Sequence, residues 1–108
     1  MNESVVSVAK WHQRSLAEQF GNIGAELSRV ARFQKDGTAE RFLASLDRAH
    51  ELVTLTIADP RWRKRLPELL RFRELMSDWY IGGSHYGVSF ESLVAYCMPF
   101  ALLARKDR

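Results

Sequence analysis

Thirteen consecutive positions hold six cations, Arg61, Arg63, Lys64, Arg65, Arg71 and Arg73, against one acid, Glu68. That local excess of +5 is larger than the whole-chain excess of +3, so the rest of the 108-residue chain is net negative by two. Arginine dominates the run, and its planar fork matches phosphate and carboxylate oxygens in pairs. Trp62 and Phe72 are interleaved with the cations, and exposed rings at such positions would let unpaired bases stack. A second reading buries both rings in the core and pairs the arginines with Glu51, Glu68 or Glu74 on a solvated face, where each pair contributes little.

No other group of residues carries a reaction signature. His12, His50 and His85 fall on different elements without ligand spacing. His50, with Leu46 and Val53 close along a helix, reads as a partly buried ring with one nitrogen satisfied. His85 stands beside Tyr86 in a glycine-rich loop and is the best placed of the three to meet a ligand, although a turn next to two glycines needs no chemistry to explain it. Cys97 lies on an apolar stripe and reads as a small core hydrophobe rather than a nucleophile. Glu18, Glu26, Glu40, Asp47, Glu51, Glu68, Glu74 and Asp78 form no inward paired cluster of the di-metal type. Gly82-Gly83 is not followed by the residues of a phosphate-cradling loop. The expectation is no catalytic residue, no cofactor and no metal. A single Cys leaves no intrachain disulfide and points to a reducing, cytoplasmic setting. The first ten residues lack the basic and apolar regions of a signal peptide. The longest apolar stretch, 98–104, is too short to span a bilayer.

Helical spacing organises the whole chain, so the fold class is all-α, an antiparallel four-helix bundle over 15–108 preceded by an arm or extra turn over 1–14. Leu16, Phe20, Ile23, Leu27 and Val30 make one stripe of a helix over 15–35, started by the Ser15/Glu18 capping box and stopped at Gly37, read as free to take positive φ. On that helix Ala17, Gly21, Gly24 and Ser28 form a line of small residues; Gly21, Gly24 and Ser28 are the candidate close helix contact. A second helix runs from the Thr38 cap to Ala58, with Phe42, Leu46, Ala49, Val53 and Ile57 on one face and Leu43, Leu52 and Leu55 widening it. Asp59-Pro60 opens a short turn over 60–65. A helix then runs from Leu66 or Pro67 to Ile81, with Leu66, Leu69, Leu70, Phe72, Leu75, Met76 and Trp79 on its apolar side. After a loop over 82–88, Ser89 caps a last helix carrying Phe90, Leu93, Val94, Cys97, Phe100, Ala101 and Ala104, which Pro99 should kink or divide.

The segments Phe20-Gly21-Asn22-Ile23-Gly24-Ala25-Glu26-Leu27, Leu46-Asp47-Arg48-Ala49-His50-Glu51-Leu52, Leu55-Thr56-Ile57-Ala58-Asp59-Pro60-Arg61-Trp62 and Leu69-Leu70-Arg71-Phe72-Arg73-Glu74 resemble a group of small uncharacterised bacterial all-helical proteins. More loosely, the architecture is similar to HEPN-type bundles, some of which are ribonucleases or partners of nucleotidyltransferases. The ribonuclease members carry an Arg separated from a following His by four to six residues, which puts the Arg five to seven positions ahead of the His. Here those places hold Leu43, Ala44 and Ser45 before His50, Asp78, Trp79 and Tyr80 before His85, and Val5, Val6 and Ser7 before His12. The resemblance therefore implies a binding role without catalysis.

Wide apolar faces, the small-residue line and three Trp in a short chain favour a non-catalytic helical interaction module, as a homodimer or as the partner of another small protein. The alternative is an RNA- or DNA-binding protein using the basic segment. No membrane partner is expected.

Overall fold

In the computed structural model, which describes residues 8–81 and 87–106, every secondary-structure element is helical. They are α1 (Val8–His12), α2 (Leu16–Asp36), α3 (Ala39–Ile57), a 3-10 helix (Pro60–Arg65), α4 (Leu66–Ser77), a second 3-10 helix (Asp78–Ile81) and α5 (Phe90–Lys106). Capping chemistry sets the starts. The Ser15 hydroxyl accepts from the Glu18 N–H while the Glu18 carboxylate accepts from the Ser15 N–H, the reciprocal box that satisfies two orphan donors. Thr38 accepts from the Arg41 N–H, and Ser89 from the Ser92 N–H. Asp59 accepts from the Arg61 N–H, with Pro60 in the first turn, where no donor is missed.

The stops differ from expectation in three places. Gly37 has φ −104° and ψ −176°, so it ends α2 in extended backbone, not at positive φ. What the position requires is the missing side chain, because a Cβ there would lie 2.9 Å from the Phe33 ring. The helix expected to reach Ile81 tightens after Ser77 into the second 3-10 helix. Pro99 does not divide α5, which is continuous across it. Pro99 and Ala95, four residues earlier, are both exposed, so water can take the carbonyl whose donor the proline lacks.

Phe20, Ile23, Leu27 and Val30 of α2 meet Leu46, Ala49, Leu52 and Val53 of α3, Leu69, Phe72 and Met76 of α4, and Phe90, Leu93 and Cys97 of α5 in one buried cluster. The stripes read from spacing supply this core, with two corrections. Leu43 and Leu70 are exposed: at about 100° per residue, each stands one step round the helix from a stripe position, Phe42 and Leu69 respectively, on the edge that faces solvent. Contacts give the helix directions. Lys35 pairs with Glu91, Gly24 abuts Cys97 and Phe20 stacks on Phe100, so α2 and α5 run antiparallel. Arg73 donates to Thr54 and Tyr80 to Asp47, which runs the α4 end of the chain antiparallel to α3.

The start of the described chain is docked on this body. Trp11 of α1 is 2% exposed and donates its indole N–H to Thr56 Oγ1 at 2.9 Å. Gln19 Nε2 donates to the Trp11 carbonyl, and His12 Nε2 to the Leu55 carbonyl. A five-residue helix has no stability of its own, so these bonds and the buried indole hold it.

Candidate functional site

The small-residue line of α2 divides between a contact inside the chain and an open groove. At Gly24 α5 comes close: a Cβ built there would lie 2.8 Å from Cys97 Cβ, nearer than two carbons can sit. The close approach expected at this position is thus made by the chain's own last helix. Next to it a groove of about 170 Å³ opens between α2 and α5, lined by Gly21, Gly24, Ala25, Ser28, Val94, Cys97 and Met98. Ala25 and Ser28 are exposed along it, and Met98 stands over it at 47% exposure. Leu102, one turn further along α5, is 54% exposed. Met98 and Leu102 lie off the stripe that buries Phe90, Leu93 and Cys97. Two apolar residues four apart on the wrong side of a helix are a signal present in the sequence, and it was missed.

The basic segment is not one surface. Asp59, 3% exposed, accepts from Arg61 Nε at 3.1 Å and Nη2 at 2.7 Å, and these bonds hold its carboxyl below the usual carboxylate range despite burial. Arg61 also donates to the Arg14 carbonyl and lies over the Trp62 ring, 4.5 Å from its centre. Trp62 is half-buried and donates its indole N–H to Gln19 Oε1. Phe72 is 5% exposed, and the half-buried Trp62 ring packs against the core with Arg61 over it, so neither ring stands open to a base. Arg65 pairs with Glu68 and Arg71 with Glu74, both on the surface, and Arg73 reaches Thr54. Arg63 and Lys64 project from the first 3-10 helix and make no ion pair among the described residues.

His50 is half-buried, with its ring edge-on to Tyr80, whose hydroxyl donates to Asp47 Oδ1 at 2.6 Å. Burial and the nearby Arg73 lower the His50 pKa, with Asp47 opposing. The satisfied nitrogen expected for this ring is not found among the described residues, since half-exposure leaves it to water. Burial pushes the Cys97 thiol up to about 12, which removes it as a nucleophile at neutral pH. Among the described residues no cluster of three His, Cys, Asp or Glu could hold a metal. No described helix is long and apolar enough to cross a membrane. His85 and Tyr86 lie outside the described residues.

Comparison with protein-family models, with curated proteins and with solved structures finds no match.

Proposed function

We propose that this chain is a non-catalytic interaction module of the cytoplasm, an antiparallel four-helix bundle that pairs with a second copy of itself through the α2/α5 groove. HEPN-like relationship, on this reading, extends to architecture and leaves the ribonuclease chemistry aside. One observation carries the proposal. The same face presents a hole, floored by Gly21, Ala25 and Ser28, and a knob, Met98 with Leu102 beyond it. A two-fold interface sets one patch against its own copy, so a face carrying both a hole and a knob is suited to it. The low side chains of the floor let a second helix approach closely, and burying a Met or Leu side chain at such a contact is worth about 1.5–3 kcal/mol. The alternative of base stacking on Trp62 and Phe72 is disfavoured by the positions of those rings.

Light scattering in line with gel filtration tests this. The expected mass is twice 12.5 kDa for the natural chain and a single 12.5 kDa for Met98→Glu, with helical content unchanged because Met98 is exposed. A single-chain mass for the natural protein at high concentration rejects the module as a homodimer, and an unaltered dimer in Met98→Glu rejects this face.

A further inference from the structure

We propose that Arg14, Arg63 and Lys64, brought to one region where the turn after α1 is bonded to the first 3-10 helix, bind the phosphate backbone of double-stranded nucleic acid. The fold both removes cations from the run at 61–73 and adds one from elsewhere. Arg61 is committed to Asp59, to the Trp62 face and to the Arg14 carbonyl. Arg73 is half-buried against α3, and Arg71 pairs with Glu74 on α4. The 2.7 Å bond from Arg61 Nη2 to the Arg14 carbonyl holds the backbone of an exposed arginine, 47 residues earlier in the chain, against the 3-10 helix that carries the exposed Arg63 and Lys64. Arg65 stands beside them at 47% side-chain exposure, in a 3.3 Å surface pair with Glu68 of the kind that a phosphate can replace at little loss. Asp59 is buried and offset by Arg61, so its charge does not oppose an anion here.

The surroundings favour a duplex. Single strands gain about 1–3 kcal/mol for each base stacked on an aromatic ring, and Trp62 and Phe72 are covered. A duplex needs no ring and offers one phosphate charge for about every 1.7 Å of its axis. Over residues 60–65 no large apolar side chain is exposed, so the patch has nothing to insert between lipids. Contacts of this kind read no base sequence.

Fluorescence anisotropy with a short labelled duplex, the matching single strand, and phosphatidylserine vesicles as competitor is the test. For three phosphate contacts per protomer, log K against log salt should fall with a slope of about −3 between about 50 and 200 mM salt. Arg14→Gln/Arg63→Gln/Lys64→Gln should weaken duplex binding at least about tenfold at the low-salt end, with helical content unchanged because all three residues are exposed, while Arg71→Gln stays within about twofold of the natural chain. No duplex binding, a triple variant that binds as well as the natural chain, tighter binding of the single strand, or displacement by vesicles at lower concentration than by unlabelled duplex overturns the proposal. The groove at α2/α5 plays no part in it, so Met98→Glu should lose self-association and keep the per-protomer response to salt.

Discussion

Gly24 shows how a single missing atom sets a helix distance. In a helix interior, Gly→Ala ordinarily gains about 1 kcal/mol. At this position the added Cβ meets Cys97 Cβ, an atom fixed to the α5 backbone that cannot turn aside. Overpacking of this sort costs about 1–3 kcal/mol, so Gly24→Ala is expected to lower stability by up to about 2 kcal/mol, measured by urea denaturation. Asp59 gives a pH signature. Its bonds to Arg61 depress the folded-state pKa below the unfolded value. Their contribution is therefore complete at neutral pH and disappears as pH falls through the carboxylate range toward the depressed value. Asp59→Asn should be less stable than the natural chain at pH 7, and the gap should close on acidification, as followed by thermal melting. Cys97 and the surface pairs of Arg65 and Arg71 were legible at this scale, since each follows from position on a helical stripe or a spacing of three. Arg61 was not, because its partners Asp59, Trp62 and Arg14 come together only when the turn at Asp59-Pro60 folds back on the end of α1.

Element boundaries were legible wherever a cap wrote them, as at Ser15, Thr38, Asp59 and Ser89. They were less so where tertiary packing decides, as at the 3-10 tightening after Ser77 and the continuity of α5 past Pro99. That continuity carries a prediction. Pro is about 3 kcal/mol worse than Ala in a helix interior, and Pro99 is exposed, so no packing is lost with its ring. Pro99→Ala should stabilise the chain by about 1–3 kcal/mol in the same denaturation experiment. α1 makes the opposite case, an element too short to persist unless anchored. Trp11→Ala removes the buried indole and its bond to Thr56. Loss of a buried Trp costs about 3–5 kcal/mol, so amide exchange over 8–14 should accelerate well before that of α2 and α3.

At the scale of the molecule, the periodic stripes of four long segments are enough to give an all-helical fold around one core, and the structure places those stripes in contact. The surface is harder to read from sequence, because a line of small residues looks the same whether the chain's own helix or another chain covers it. Gly24 turned out to be covered by α5, while Gly21, Ala25 and Ser28 line the groove beside Met98. The proposed function rests on that division. Amide chemical shifts followed by NMR on dilution test it most directly. The account predicts concentration-dependent shifts confined to residues 21–28 and 94–102, with those of 61–65 unchanged. Shifts that are absent at every concentration, or that centre on another face, would contradict it.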